Sequence, residues 1–354
     1  MLAVSEGQKK PLPPASLLPA RPSPVYDCYW QFAAERQRIF FRRLDRQAPP
    51  WTDDPILRSY KFTNAYRASD RVSQYLIRRV IYRDDLPDSG DEVFFRIMLF
   101  KLFNRIETWE LLERSLDVVT YANYRFERFD GILARALSEG RRIYSPAYIM
   151  PPGRHAFAER AKHQNHLRLI ERMMADEVPR RLAELHSMQQ AFTLLRSYPT
   201  IGDFLAYQFL IDINYSEITH FSEMDFVVPG PGALSGISKC FVDRGGLNEP
   251  EIVRIMADRQ HEEFARFGLE FRSLWGRPLQ LIDCQNLFCE VDKYARVAYP
   301  DVPGCPSRTR IKFRFAPRAA PIHYWYPPKW GINDRVRNTQ PVCRTHVEFG
   351  TLVT

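Results

Sequence analysis

A mainly α-helical fold follows from two features of this 354-residue chain. Apolar and aromatic residues recur at three- and four-residue spacing in one segment after another, the period of a helix. Alternation with a period of two, the mark of a half-buried strand, recurs too seldom to build a large sheet. Hydrophobic content of 45%, with 13% aromatic, supplies one large core or two moderate ones.

The elements follow in chain order. Residues 1–24 include GQKKPLPPASLLPARPSP, which is Pro-rich and aperiodic, and are expected to form a disordered leader. A helical domain is expected over 25–298, either as one body or as two lobes around a cleft. Its patterning starts near Tyr26, carries Tyr29, Trp30, Phe32 and Ile39–Phe41 at helical spacing, and stops at the Pro-rich PPWTDDP of 49–55. Helices are then expected over about 64–82, 91–106, 107–116, 126–138, 155–175, 178–196 and 201–214. Thr200 with Asp203, just after Pro199, has the form of a capping box. The turn-rich Val228–Gly232 precedes a helix near 233–240, and two more are expected over about 249–274 and 278–298. The extension 299–354 is irregular and expected to wrap on the body, with Trp325, Tyr326 and Trp330 packing there or else stacking on bases.

Composition bounds the partners. Fifty Lys and Arg against 42 Asp and Glu leave a net charge of +8, which admits a polyanion such as DNA without requiring one. No apolar run approaches the length of a membrane span, so no membrane partner is expected. The N-terminus lacks a signal peptide's apolar core, and six cysteines without a C-x-x-C pair read as reduced, mostly buried thiols. An intracellular protein is expected. His163 and His166 read as a surface stretch with no third ligand, so neither metal nor cofactor is expected. A P-loop, G-x-x-x-x-G-K-[ST], does not occur in the sequence.

Four constellations could carry chemistry. Wound as a helix, Leu281–Tyr294 aligns Asp283, Asn286, Glu290 and Lys293 on one face and Cys284, Leu287, Phe288, Val291 and Ala295 on the other. The polar face can hold a base or a phosphate in fixed geometry, or be solvated around one ion pair. Asn64, Arg67, Arg71 and Gln74 repeat the spacing, and two guanidiniums one turn apart suit a phosphate clamp or an acid-bridged structural network. Gln208, Asp212 and Tyr215 share a face of an otherwise apolar helix, making Asp212 a general base or a buried anchor. Gly230 and Gly232, with a following helix and Lys239, suit a helix-hairpin-helix grip on a DNA backbone, or an ordinary turn.

These pieces resemble the α-glutamyl/putrescinyl-thymine pyrophosphorylases and the related helical domain of 5-hydroxymethyluracil DNA kinases. The matching residues are Tyr29-Trp30, Glu35-Arg36, Phe62–Arg67, Asp70-Arg71, Phe103-Asn104 and Trp109. They continue through Gln208, Asp212, Tyr215, Gly230–Gly232, Asp283, Asn286, Cys289-Glu290 and Asp292–Tyr294, so the likeness covers about 26–298. The resemblance implies an all-helical fold similar to helix-hairpin-helix DNA glycosylases, but without the four-cysteine cluster of many of those. It also implies DNA as substrate: an amine or amino-acid donor replaces pyrophosphate on a 5-pyrophosphoryloxymethyl-uracil flipped from the helix. On that reading Arg67, Arg71 and Lys293 neutralise the pyrophosphate, and Asn64, Gln208 and Asn286 meet the uracil edge. Asp283, Glu290 or Asp212 deprotonates the amine, and Tyr215 and Tyr294 belong to the same site. A base-excising glycosylase and a catalytically silent DNA-binding module are the alternatives.

Overall fold

Ser23 and Pro24 set the first helix going. The Ser23 hydroxyl accepts the Val25 amide at 3.1 Å, and Pro24 occupies the first turn of α1 (Pro24–Leu44). The computed structural model describes residues 19–304, 310–316 and 323–339. The expected leader is therefore shorter than 1–24: β1 (Arg21–Pro22) pairs antiparallel with β2 (Phe241–Asp243). Residues 1–18 lie outside the described residues.

After the short α2 (Pro55–Ser59), capped by Asp54, the expected helix over 64–82 is not formed as one element. The chain is extended to Tyr66, makes a 3-10 turn at Arg67–Ser69, then α3 (Arg71–Tyr75) and a π-helical turn at Leu76–Ile81. The cause is local competition. The amides of Thr63, Asn64 and Arg67 donate to the carboxylates of Glu290, Asp70 and Asp283, so no helical ladder can claim them.

α4 (Gly90–Phe103) starts on Ser89 and ends on Asn104 in the left-handed conformation. α5 (Ile106–Leu116) and α6 (Phe126–Ser138) follow as expected. The expected 155–175 helix divides into α7 (Arg154–Phe157) and α8 (Lys162–Ala175), with Ala158 left-handed between them. The 178–196 helix divides likewise into α9 (Val178–Ala183) and α10 (Met188–Arg196), because the Ser187 hydroxyl caps a fresh start. α11 (Asp203–Ile213) begins from Gly202, not from a Thr200 box; Thr200 has φ +70. α12 (Pro231–Cys240), α13 (Glu249–Arg266, with a true Asn248/Glu251 capping box) and α14 (Leu281–Ala298) complete the body. α13 stops eight residues short of the expected 274.

Two helical layers meet across the segment 61–70. In one, α14 packs on α1, α12 and α13; in the other, α4 packs on α8, α9 and α11. The apolar face of α14 is buried as its spacing predicts: Cys284, Leu287, Phe288, Val291 and Ala295 are all wholly covered. Gly236 permits the closest approach, since a Cβ there would lie 2.1 Å from the Phe288 carbonyl oxygen. Of the C-terminal extension, the described residues 323–339 pack on the body. Tyr326 is wholly buried with its hydroxyl 2.8 Å from Ser69 Oγ, the Trp325 amide donates to Gln74, and α15 (Asn333–Thr339) ends the described chain. Cys28, Cys240 and Cys284 are buried free thiols and Cys289 is half-buried, while Cys305 and Cys343 lie outside the described residues. Among the described residues, no helix is long and apolar enough to cross a membrane.

A buried ion cluster as candidate active site

Arg67 is the hinge of the site because its backbone and its side chain face different layers. Its amide donates to Asp283 Oδ1 at 2.8 Å, toward α14. Its guanidinium reaches α11, forking onto both oxygens of Asp212 at 2.8 and 3.0 Å. The same fork donates to Gln208 Oε1 at 3.1 Å and to the Tyr215 hydroxyl at 3.1 Å. Gln208 and Asp212 share a face of α11, whereas Tyr215 lies in the turn beyond its end; the Arg67 guanidinium is what joins the three.

A second cation completes the cluster. Lys101 Nζ, from the last turn of α4, lies 3.0 Å from Asp212 Oδ2, donates to Asn104 Oδ1 at 2.8 Å, and sits 4.6 Å above the Tyr148 ring. Arg67, Lys101 and Asp212 are 3%, 3% and 0% exposed, so two cations and one carboxylate share the interior. Burial alone would raise the Asp212 pKa, but Arg67 and Lys101 outweigh it and hold the carboxyl below its ordinary value. Burial lowers the Lys101 pKa, partly countered by Asp212. With all three ionised, Arg67, Lys101 and Asp212 together carry one positive charge in excess, which in a low-dielectric interior is costly unless an anion joins them.

The acids of α14 also hold backbone, which their spacing does not announce. Asp283, Asn286 and Glu290 do face the 61–70 segment, but they bind its backbone. Asp283 caps its own helix through Gln280 at 3.0 Å as well as holding the Arg67 amide. Asn286 donates to Thr63 Oγ1 at 3.0 Å, and Glu290 accepts the Thr63 amide at 3.0 Å and the Lys293 ammonium at 2.6 Å. Burial raises Asp283 to about 7, with Glu223 adding to it and the Gln280 and Arg67 amides opposing it. Asp70 is likewise raised to about 7 by burial.

Other expected contacts are corrected. The basic stripe dissolves with its helix: Arg71 is exposed on α3, and Asn64 is tied to Ser69 and Arg36 instead of opening to a cleft. Lys239 is 4% exposed and ion-paired with Asp292 at 3.0 Å, because α12 lies flat on α14, so it does not reach a DNA backbone from there. Tyr294 is core, its hydroxyl on Asp54 at 2.6 Å. No helix runs directly into the Gly230 turn, since α11 ends at Ile213, which departs from a helix-hairpin-helix. Gly230 is needed for space, its missing Cβ leaving room for the Phe204 ring; Gly232 lies half-buried in the first turn of α12. His163 and His166 are buried, not superficial, His163 on Asp130 and His166 between Tyr144 and the Pro151 carbonyl. Sequence reasoning missed Lys101 and Tyr148. Lys101 carried a signal, a lone ammonium in the apolar run Val93–Phe103; Tyr148 carried none.

A mainly helical body with a buried charged cluster is the class of protein that this fold and site define. The chain belongs to the family described as "5-hmdU DNA kinase, helical domain", whose model matches residues 23–304. It is 28% identical over 288 residues to a 5-hmdU DNA kinase of Bacillus phage SP10. That match takes in 76% of this chain and 45% of the relative, so the chain spans less than half of the relative's length. No solved structure matches.

Proposed function

We propose that this chain acts on a hydroxymethyl-derived thymine base in DNA, replacing pyrophosphate on its 5-methylene carbon with an amine or amino acid. The observation that carries the reading is the buried excess of positive charge at Arg67, Lys101 and Asp212. A pyrophosphate entering beside Tyr148 supplies the missing anion, and neutralising it as it departs is the largest catalytic contribution. In the step, the carbon–oxygen bond to pyrophosphate breaks, a carbon–nitrogen bond forms, and the amine's proton passes to a carboxylate. Asp283, raised to about 7, is matched to that task at neutral pH, whereas Asp212, held low by two cations, is a poor base. Gln208, held by Arg67, is suited to the amide edge of the uracil. This reading takes the way in to lie past Tyr148, above Lys101. Tyr148 is half-buried, left-handed at φ +55, and stacked on Phe204 at 5.6 Å, and it must swing aside for a base to enter.

The family's name favours a second reading, in which the helical body recognises the 5-hydroxymethyluracil and another segment performs the chemistry. Incubating the chain with DNA carrying 5-pyrophosphoryloxymethyl-uracil, with and without glycine, glutamate or putrescine, separates the two. A heavier base with released pyrophosphate supports the transferase. Selective binding with an unchanged base supports the recognition module, and an abasic site means a glycosylase.

A further inference from the structure

Clefts of about 700 to 1160 Å³ open among the described residues, and their charges differ. A cleft of about 1160 Å³ carries Arg78, Arg79, Arg83 and Arg337, but Asp84, Asp85, Asp88 and Glu217 line it too and balance them. In a second, of about 830 Å³, Arg168, Arg172 and Arg181 stand against Glu171 and Asp176, Arg168 paired with Glu171 and Arg172 with Asp176. The third, of about 700 Å³, is lined by Arg154, His155, Arg160 and Lys162 together with Pro151, Gly153 and Thr200. No acidic side chain lines it, in a chain that holds 42 of them. A cleft bordered by Arg154, Arg160 and Lys162 with no acid in its lining is unbalanced, and the natural occupant is an anion.

Its position adds a second argument. The cleft's rim, Pro151–Gly153, follows Tyr148 by only a few residues, and Tyr148 covers Lys101. On the other side, Thr200 leads into Phe204, on which Tyr148 stacks and against which Gly230 packs. Thr200 Oγ1 is buried there without a hydrogen-bond partner, a group placed to donate to a ligand oxygen. Lys162, which borders the cleft, has its ammonium held over the Tyr144 ring at 4.4 Å.

We propose that this acid-free cleft binds the phosphodiester backbone beside the target nucleotide and so delivers the base to the Tyr148 entrance. The inference rests on the reading that DNA is the substrate. It assigns strand binding to the loop and α7–α8 junction, not to the glycine turn at 230–232. Phosphate contacts release counterions, so each one adds about one unit to the slope of log affinity against log salt.

The test measures binding of the full chain to a fluorescein-labelled duplex containing 5-hydroxymethyluracil across a salt series. Wild type is compared with the double variant Arg154→Gln/Arg160→Gln. Both arginines are exposed, so the fold survives their loss. Arg58→Gln, a change of an exposed arginine that lines no part of this cleft, is the control. The expected result is a slope smaller by about two units in the double variant, with weaker binding at every salt, and an unchanged control. Binding by wild type with an unchanged slope in the double variant overturns the cleft assignment and leaves the proposed function standing. No binding by wild type overturns both.

Discussion

Asp212 sits between two cations, and what each residue contributes there can be separated by the chemistry of its loss. Asp212→Asn leaves Arg67 and Lys101 buried without their carboxylate and should cost about 3–5 kcal/mol in denaturant unfolding. Lys101→Met is gentler, because Asp212 keeps the bidentate Arg67 fork and a methionine fills the same space. Its stability should change by less than about 2 kcal/mol, while pyrophosphate release is lost. Full turnover in Lys101→Met would remove the second cation from the mechanism. Asp283 gives a pH dependence. Its folded pKa is about 7 against an ordinary 3.8, so between those values the folded protein keeps a proton that the unfolded chain releases. That contribution is complete below 3.8 and lost as pH rises through 7, so stability falls across the window. Asp70 titrates in the same window, so Asp283→Asn should roughly halve the fall, as read by urea unfolding at successive pH values.

Among the elements, α12 and α14 are the pair set closest, and Gly236 is the reason. Gly236→Ala drives a Cβ into the Phe288 backbone, which cannot yield as a flexible side chain could. The expected cost is about 1–3 kcal/mol in chemical denaturation, an overpacking penalty; an unaltered midpoint would mean that the two helices are free to separate. The 61–70 segment shows why element type was legible only in part. Its apolar spacing is helical, yet carboxylates from α14 and from Asp70 take three of its amides, and a helix cannot form without them. The divided helices at 154–175 and 178–196 have the same lesson on a smaller scale. Periodicity carries through a four-residue break, about one helical turn, so it does not report a Ser187 cap or a left-handed Ala158.

At the scale of the whole molecule, the C-terminal extension lies beyond the family match, which ends at 304, yet packs on the segment that carries Arg67. Tyr326 bonds Ser69, Trp330 lies edge-on to Tyr215 at 5.8 Å, and Lys329 donates to the Ser216 and Thr219 carbonyls. Removing residues 305–354 should therefore speed amide exchange at Ser69–Gln74 and around Tyr215, measured against the intact chain. Unchanged protection there would show that the tail is only a passenger.

What the sequence determined by itself was the helical class, the buried stripe of α14, and the pair Gln208 and Asp212 on one face of α11. Each of these is a local property, written in the spacing of residues a few positions apart. Only the tertiary structure decided which charges meet. Arg67 and Asp212 are 145 residues apart, and Lys101 joins them from a third helix. Lys239, in sequence the natural partner of a DNA strand, turns inward to Asp292 because α12 lies on α14. A charge in a low-dielectric interior takes whichever opposite charge the packing brings within reach, and one-dimensional spacing does not encode that distance.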